Sequence, residues 1–370
     1  PSGLVGVASG GISAGGAMER ARESQLGSLL AGHVREGSLY EKADGNWVRC
    51  YACGHKCRIA PGREGICRVR FNEAGVLKVP FGYVGCLAID PVEKKPFFHA
   101  LPGSTALSFG MLGCDYRCGY CQNWITSQAL RNPEAVAPVE IITSGQIVSI
   151  ALQRHIPIIT STYNEPLITS EWAVEIFSLA RMHGIRCSFV SNGNGTDEVL
   201  AYLRPHIDLY KVDLKSIRQK NYQQLGGRVD VVLRTIESLH AMGIWVEIVT
   251  LIVPGFNDSR DEICEIARFI ASVSTDIPWH VTAFHQDYKM TDYDPTSARD
   301  LLRAAEIGRE AGLHFVYAGN LPGRVGRWEN TYCASCDELL VERSGFAILR
   351  NRVTNGSCPK CLSRVPGVWN

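Results

Sequence analysis

Short apolar and β-branched runs alternate with amphipathic segments through the central part of the chain. The runs predict seven strands, at residues 106–109, 158–163, 187–191, 209–214, 245–253, 279–284 and 314–318. The segments between them have apolar residues at helical spacing and predict helices, at residues 141–154, 170–183, 229–242 and 262–273. Strands that alternate with helices form a parallel sheet covered by helices. The pattern therefore predicts an α/β fold, as a partial or complete (β/α) barrel or as a doubly wound open sheet.

The chain on either side of this region has a different pattern. Residues 18–34 have helical spacing and predict a short helix, after a stretch rich in Gly, Ala and Ser that is expected to be a flexible tail. A β-rich patch is predicted at 76–88, and the polar and aromatic segment at 90–99 is either a solvated loop or a border of the active site. The predicted segments are a tail with a short helix at 1–45, a four-cysteine module with a lead-in at 46–104, the barrel at 105–325 and a second four-cysteine module at 326–370.

The length and charge of the chain limit its class and its partners. A chain of 370 residues is long enough for two domains or for one barrel with additions. Its net charge of +1, without a long run of one sign, does not indicate nucleic acid or an anionic membrane surface as the main partner. No apolar run is long enough to span a bilayer, and residues 1–17 lack the basic start and apolar block of a secretory signal, so no membrane partner is expected.

Most of the fourteen cysteines fall into three sets. The sets are Cys50, Cys53, Cys57 and Cys67, then Cys114, Cys118 and Cys121, and finally Cys333, Cys336, Cys358 and Cys361. Metal ligands cluster in this way, and a reducing cytoplasm would keep the thiols free for metal, so a cytoplasmic location is predicted. The remaining Cys86, Cys187 and Cys264 lie in apolar surroundings and are expected to be small core residues.

The first and third sets each offer four thiols, which can close a tetrahedral zinc site or hold an auxiliary iron–sulfur cluster. In the N-terminal cysteine set, residues 50–67, the uneven spacing lacks the short repeated intervals of ferredoxin-type loops and favours zinc. In the C-terminal cysteine set, residues 333–361, two C-x-x-C pairs flank an apolar stretch at 339–349 that predicts a β-hairpin. This pattern is typical of a zinc ribbon, with an auxiliary cluster as the alternative.

The second set lies in one short loop, residues 113–123, here called the three-cysteine loop. Cys114, Cys118 and Cys121 have the spacing C-x-x-x-C-x-x-C, directly after the first predicted strand. Structural zinc sites and cubane clusters normally take four ligands, so three thiolates leave one metal position for a group other than the protein. The alternative is a zinc knuckle that a nearby histidine completes.

This loop resembles the cluster-binding loop of radical S-adenosylmethionine (SAM) enzymes, in which three thiolates hold a [4Fe-4S] cluster and SAM chelates the fourth iron. The resemblance implies a TIM-like barrel with the loop after its first strand. It also implies that Tyr120 packs against the adenine of SAM and that Asn123 belongs to the cofactor site.

Two segments after later strands fit the same family. Glu165 lies in Tyr-Asn-Glu-Pro, where the family has a Gly-Gly-Glu-Pro-like motif whose carboxylate meets the amino group of SAM. The structural alternative is that Glu165 only caps the N-terminus of the next helix. Ser191 and Asn192 begin a segment that resembles the ribose-contacting part of the family, with Asn192 as the expected hydroxyl contact.

The fourth predicted strand carries charges on one face. Period-two alternation puts Lys211, Asp213 and Lys215 together, and buried charges are costly unless they are paired or bind a ligand. This strand is therefore expected to line the active site, with a structural ion pair as the alternative. Asp213 and Lys215 also match an Asp-Leu-Lys segment of the cofactor site in glycyl-radical activases, and His280 is a candidate contact for substrate. The predicted catalytic set is Cys114, Cys118, Cys121, Asp213, Lys215 and His280.

The region from about 105 to 320 thus resembles radical SAM enzymes related to pyruvate formate-lyase activating enzyme, and the chain as a whole resembles the AmmeMemoRadiSam-system subgroup. The resemblance implies that an electron from flavodoxin or ferredoxin drives cleavage of SAM to a 5′-deoxyadenosyl radical, which abstracts hydrogen from substrate. The substrate is a small molecule or a peptide, or alternatively a partner enzyme that receives a glycyl radical. A non-catalytic metal-binding scaffold is the third hypothesis.

Overall fold

The computed structural model describes residues 30–369, and short antiparallel strands make up its first part. These strands are β1 (Val34–Glu36), β2 (Tyr40–Ala43), β3 (Trp47–Cys50), β4 (Arg58–Ile59), β5 (Phe71–Glu73), β6 (Val76–Pro80) and β7 (Tyr83–Val84). Six of them pair into two small sheets, β1-β6-β5 and β2-β3-β4. The predicted helix at 18–34 lies mostly outside the described residues, and its last residue, Val34, begins a strand instead because it pairs with Pro80.

An eight-stranded sheet forms the centre of the chain. Its strands are β8 (Cys86–Pro91), β9 (Thr105–Gly110), β11 (Ile158–Ser161), β12 (Arg186–Ser191), β13 (Leu209–Asp213), β14 (Trp245–Ile252), β15 (Trp279–Ala283) and β16 (Val316–Gly319), while the short β10 (Glu140–Ile141) pairs with β7. From β9 to β16 neighbouring strands are parallel and follow chain order. A doubly wound sheet reverses its strand order, so this sheet is the predicted barrel.

The barrel is partial. Strand β8 pairs antiparallel with β9 at one edge, β16 forms the other edge, and the two edges are not paired with each other among residues 30–369. The seven parallel strands match the seven predicted apolar runs. The antiparallel β8 falls within the predicted lead-in at 46–104, and its pairing with β9 makes it part of the barrel sheet instead.

Most helices cover the outer face of the sheet, while the first, a single turn, follows the three-cysteine loop. The helices are α1 (Trp124–Ser127), α2 (Ser144–Gln153), α3 (Ser170–Met182), α4 (Asp197–Leu203), α5 (Gln219–Leu225), α6 (Val229–Ala241), α7 (Arg260–Val273) and α8 (Ala298–Glu310). Side-chain caps fix the start of several of them: Thr143 and Ser297 form capping boxes, and Ser259 accepts a hydrogen bond from the Glu262 N–H. The core lies between these helices and the sheet, around fully buried side chains such as Trp172 and Trp279.

The C-terminal part is a small three-stranded antiparallel sheet. Its strands are β17 (Thr331–Tyr332), β18 (Leu339–Ser344) and β19 (Ala347–Asn351), so the hairpin predicted at 339–349 is present. Arg343 is buried in it and donates hydrogen bonds to the Thr331 hydroxyl and the Phe98 carbonyl oxygen, both at 2.8 Å. These contacts attach the C-terminal sheet to the segment after β8, beside the open edge of the barrel.

Two further expectations concern the cysteines outside the three sets and the presence of membrane-spanning segments. Cys187 is buried in the core as expected, Cys264 is half-buried and packs against the core, and Cys86 is half-buried and is not part of the core. Among residues 30–369, no helix is both long and apolar enough to cross a membrane.

Candidate active site

The three-cysteine loop follows the carboxyl end of β9 and packs against the N-terminal cysteine set. Gly113 has a φ of +90°, and a Cβ at this position would lie 3.0 Å from the carbonyl oxygen of Cys67, so the close approach requires glycine. Cys118 is buried, and Cys114 and Cys121 are half-buried. Cys118 and Cys121 line a cavity of about 370 Å³. Two of the three predicted cluster ligands therefore face an open space inside the barrel.

Strand β13 contributes a row of charges to the same cavity. Lys211, Asp213 and Lys215 all line it, as their alternation in the sequence predicts. Lys211 Nζ donates a hydrogen bond to Asp213 Oδ1, and Lys215 Nζ lies 3.4 Å from Asp213 Oδ2. Burial alone would raise the pKa of Asp213, but the two lysine charges outweigh it and lower that pKa. Asp213 is thus an anion held between two ammonium groups.

The other two predicted cofactor residues of the loop also line the cavity. These are Tyr120 and Asn123. The Tyr120 ring is buried, and its centroid lies 6.0 Å from Lys215 Nζ and 5.8 Å from the ring centroid of Phe256. The loop and β13 therefore come together across the cavity, with an aromatic face beside a lysine.

The loop thiols are less closely grouped than the ligands of a single metal ion. Sulfurs bound to one zinc lie about 2.3 Å from it, and hence no more than about 4.6 Å from one another. Within the described part of the chain, only the C-terminal cysteine set has its ligand atoms within 4.8 Å of one another. Cys114, Cys118 and Cys121 do not meet that limit, and neither does the N-terminal cysteine set.

Glu165, Ser191 and Asn192 lie behind the cavity wall and not on it. The Glu165 carboxylate accepts hydrogen bonds from the Ser191 hydroxyl at 2.7 Å and from the Asn192 backbone N–H at 2.8 Å. It also accepts one from the Leu167 N–H at 3.1 Å, which is the helix-capping contact that the sequence offered as the alternative. Burial, together with the nearby Asp115 carboxylate, raises the pKa of Glu165.

The Asn192 side chain is bonded to protein on both of its polar atoms. Its Nδ2 donates to Asp115 Oδ1 at 2.7 Å, and its Oδ1 accepts from the Asn194 N–H at 2.9 Å. Asp115 is fully buried within the three-cysteine loop. In this arrangement Asn192 fixes the loop, and the predicted ribose contact would require it to leave these partners.

His280 lies away from the cavity, among buried side chains of β14 and β16. Its Nε2 is 2.7 Å from Glu247 Oε2, and its ring stacks on Tyr317 with centroids 5.0 Å apart. Burial lowers the pKa of His280 even though the ring donates a hydrogen bond to the Glu247 carboxylate, which acts in the opposite direction. A contact between His280 and substrate is not supported by this placement, because the segment that contains Phe98 covers the ring on another side.

The cavity also contains residues that were not singled out in the sequence. Lys94 and Lys95 line it, and both bind Asp90, with Nζ to carboxylate distances of 2.8 and 2.7 Å. The Tyr163 hydroxyl lies 2.8 Å from both Asp90 Oδ2 and Lys95 Nζ. Residues 90–99 were expected to be either a solvated loop or a border of the active site. Because Lys94 and Lys95 line the cavity, the segment borders it.

Tyr163 replaces a glycine of the family motif and keeps an unusual backbone conformation. Its φ is +67°, in the left-handed region that costs a non-glycine residue about 1 kcal/mol. The hydrogen bonds of its hydroxyl anchor the side chain, and the Thr126 hydroxyl donates to its carbonyl oxygen at 2.5 Å. In the sequence, the replacement of a motif glycine by Tyr163 was the one indication that this side chain makes specific contacts.

The C-terminal cysteine set forms a compact group of thiols that could hold a metal ion. Its four sulfurs lie within 4.8 Å of one another, with Cys333 and Cys361 3.6 Å apart and Cys336 and Cys358 3.7 Å apart. This spacing suits one tetrahedral ion. The tip of the adjoining hairpin carries Phe346, whose side chain lines the cavity. The N-terminal cysteine set does not meet the same limit in this structure, and its zinc stays a prediction.

Comparison with known proteins places these features in a family. The model of the radical SAM superfamily matches residues 110–270. An uncharacterised protein of Methanocaldococcus jannaschii is 38% identical over 336 residues, which cover 90% of this chain and 99% of the relative. The chain belongs to the radical SAM superfamily. A pyruvate formate-lyase-activating enzyme of Clostridium pasteurianum is 26% identical over 208 residues, covering 52% of this chain and 85% of that enzyme.

Among solved structures, a radical SAM methyltransferase from Sphaerobacter thermophilus is similar with a TM-score of 0.46 and 13% identity, over 85% of each chain. The family membership confirms the resemblance drawn from the cysteine loop and shows that this radical SAM protein is an enzyme. It thereby overturns the hypothesis of a non-catalytic scaffold. The family also implies a [4Fe-4S] cluster and SAM as cofactors. The segment boundaries, the subgroup and the roles of individual residues stay predictions.

Proposed function

We propose that this enzyme binds a [4Fe-4S] cluster through Cys114, Cys118 and Cys121 and binds SAM beside it in the barrel cavity. The observation that carries the proposal is the cavity itself, which unites two cysteines of the loop with Asp213 and Lys215 of β13. When bound, the cluster and SAM supply reductive cleavage of SAM and a 5′-deoxyadenosyl radical for hydrogen abstraction. Flavodoxin or ferredoxin stays the predicted electron donor.

The residues of the chain have distinct tasks in this proposal. Lys215 offers an ammonium group to the carboxylate of SAM, and Asp213 holds Lys215 in place. Tyr120 presents a buried aromatic face within 6.0 Å of that ammonium, where it can pack against adenine. The helices around the barrel and the C-terminal hairpin keep bulk water from the cavity, which a reactive radical requires.

A protein or peptide substrate is supported by the relatives named pyruvate formate-lyase-activating enzyme, since that name describes action on another enzyme. The preferred substrate class remains a small molecule or a peptide. An activase that forms a glycyl radical on a partner enzyme is the second candidate, and the same relatives favour it. A glycyl-radical signal in a partner enzyme incubated with the reduced protein and SAM would select the activase.

The test is anaerobic reconstitution with iron and sulfide, addition of SAM and dithionite, and detection of 5′-deoxyadenosine. Wild type is expected to form it, and Cys118→Ala is expected to form none above background. The matched control is Cys264→Ala, which changes a half-buried cysteine of α7 outside the three sets and should retain activity. No product from wild type, or undiminished product from Cys118→Ala, would refute the proposal.

A further inference from the structure

Four lysines line the cavity, and they share two aspartates. Lys211 and Lys215 contact Asp213, while Lys94 and Lys95 contact Asp90. Among residues 30–369, Asp213 is the only acidic side chain that lines the cavity, and Asp90 lies behind Lys94 and Lys95. Each aspartate thus neutralises the charge of one of its two lysines. Each lysine pair therefore retains one uncompensated positive charge.

A carboxylate deeper in the barrel, that of Glu247, is already bound by other groups. Glu247 accepts hydrogen bonds from the backbone N–H groups of Phe98 and His99, both at 2.9 Å, and lies 2.7 Å from His280. It lies on β14 in register with Lys211, but its oxygens face these partners. It therefore does not neutralise the excess charge in the cavity.

The two lysine pairs approach the cavity from different ends of the barrel. Lys215 follows the carboxyl end of β13 and lies near Tyr120 of the three-cysteine loop. Lys94 and Lys95 follow β8, which runs antiparallel, so that its last residue, Pro91, pairs with Thr105 at the amino end of β9. One pair is next to the cofactor residues, and the other enters from the opposite end.

Burial fixes the inner lysine of the second pair, and the outer lysine is open to solvent. The Lys95 side chain is 3% exposed, and Lys94, at 50%, lies at the rim. The Tyr163 hydroxyl completes the cluster and holds Asp90 and Lys95 in fixed positions. Asp90 compensates the buried Lys95, so the uncompensated charge of this pair is on Lys94 at the rim, where an anion that enters the cavity can reach it.

We infer that the enzyme acts on an anionic substrate and that Lys94 and Lys95, supported by Asp90 and Tyr163, bind its carboxylate or phosphate group. The proposed function assigns Lys215 to the carboxylate of SAM. The assignment of one lysine pair to SAM and the other to substrate therefore rests on the proposed function. Lys211 lies two residues before Asp213 on β13, about 7 Å deeper in the barrel, and extends the positive surface between the pairs. The substrate would thus lie with its anionic end away from the three-cysteine loop.

The inference is tested with defined anions on the reconstituted, SAM-saturated enzyme. Isothermal titration calorimetry with glutarate and with inorganic pyrophosphate, at constant ionic strength, measures Kd for a carboxylate and a phosphate probe. At least one probe should bind saturably, and Lys95→Met should raise its Kd about tenfold, the effect of one charge-assisted hydrogen bond. Lys94→Gln, which changes a half-exposed side chain, should raise Kd in the same direction with the fold intact.

The matched control is Lys220→Gln on α5, an exposed lysine outside the cavity, which should bind the probes as wild type does. Saturable binding of one probe alone would identify the carboxylate or the phosphate as the ligand. Failure of both probes to bind, or equal Kd values in wild type, Lys94→Gln and Lys95→Met, would overturn the inference. Anion binding does not require SAM cleavage, so an enzyme that binds the probe but forms no 5′-deoxyadenosine would refute the proposed function instead.

Discussion

The fully buried carboxylate of Asp115 accepts a hydrogen bond from the side-chain nitrogen of Asn192 at a distance of 2.7 Å. A second one comes from Asn194 Nδ2, also at 2.7 Å, and His55 Nε2 of the N-terminal cysteine set lies 4.0 Å away. One carboxylate next to a predicted cluster ligand therefore connects the three-cysteine loop, the segment after β12 and the N-terminal set. This network gives Asn192 a structural role that can be separated from cofactor binding.

Asn192→Ala is expected to lower the free energy of unfolding by about 2 kcal/mol, the value of a buried hydrogen bond to a charged group. The Kd for SAM should change by less than about threefold, since the side chain faces Asp115 and not the cavity. Chemical denaturation and a SAM titration measure the two effects. Unchanged stability with a large loss of SAM affinity would instead support the ribose contact predicted from the sequence.

Arg70 and Glu171 form a buried ion pair that joins the N-terminal sheets to α3. Two guanidinium nitrogens donate to the carboxylate at 2.7 Å, and the two side chains are 1% and 6% exposed. Removing one partner leaves a buried charge, so Arg70→Met should lower the free energy of unfolding by about 3–5 kcal/mol. Arg70→Met/Glu171→Leu should recover most of that loss. Arg49→Met, at an exposed position, is the control, and a single variant as stable as wild type would contradict the prediction.

His99 should make the protein less stable in mild acid. Burial lowers the pKa of His99 to about 4, with Glu247 and Arg343 as the charged groups around it. Its Nδ1 lies 2.7 Å from the Pro366 carbonyl oxygen, and its Nε2 lies 2.6 Å from the Tyr317 hydroxyl. A carbonyl oxygen only accepts, so Nδ1 carries the proton and Nε2 accepts from Tyr317, as in a neutral ring.

Between pH 6.5 and about 4 the unfolded chain binds a proton at His99 that the folded protein does not bind, so the free energy of unfolding falls as the pH falls. The contribution of this group over that interval is about 3 kcal/mol. Denaturation of wild type and His99→Gln at several pH values measures it, and the variant should lack this part of the pH dependence. Parallel curves for the two proteins would show that His99 is not responsible.

The C-terminal cysteine set is expected to bind one zinc ion per chain. Its sulfurs lie within 4.8 Å of one another. We expect a bound metal to stabilise the hairpin of β18 and β19, because the hydrophobic core around this hairpin is small. Cys361→Ser should lose one equivalent of zinc and lower the Tm. Metal analysis and calorimetry measure both effects, with Cys264→Ala as the control. Iron and sulfide in place of zinc would assign an auxiliary cluster instead.

The same variant should also affect the cavity, because Phe346 at the tip of that hairpin lines it. Loss of zinc is expected to weaken binding of an anionic probe at the cavity, whereas Phe346→Ala should do so without loss of zinc. Comparing the two variants by calorimetry separates the metal from the side chain. Unchanged probe binding in both variants would show that the hairpin does not contribute to anion binding at the cavity.

Much of the fold was predictable because its signals lie in short windows of sequence. Each of the seven parallel strands begins within two residues of its apolar run, and the helices at 141–154 and 229–242 are observed as Ser144–Gln153 and Val229–Ala241. Strand alternation alone also puts Lys211, Asp213 and Lys215 on one face of β13, and that face lines the cavity. Periodicity and ligand spacing are local properties, and the chain by itself specifies them.

The sequence by itself therefore determined the family and the α/β fold, and it predicts that the three cysteines of the loop are the cluster ligands. Tertiary structure alone decided which of the other polar residues share the cavity. Strand order and the antiparallel pairing of β8 bring Asp90, Lys94 and Lys95 to Tyr163, about 70 residues away along the chain. The same packing turns Asn192 toward Asp115 and His280 toward Glu247. The physical reason is that a side chain's partners depend on strands that are distant in sequence, which no local pattern records.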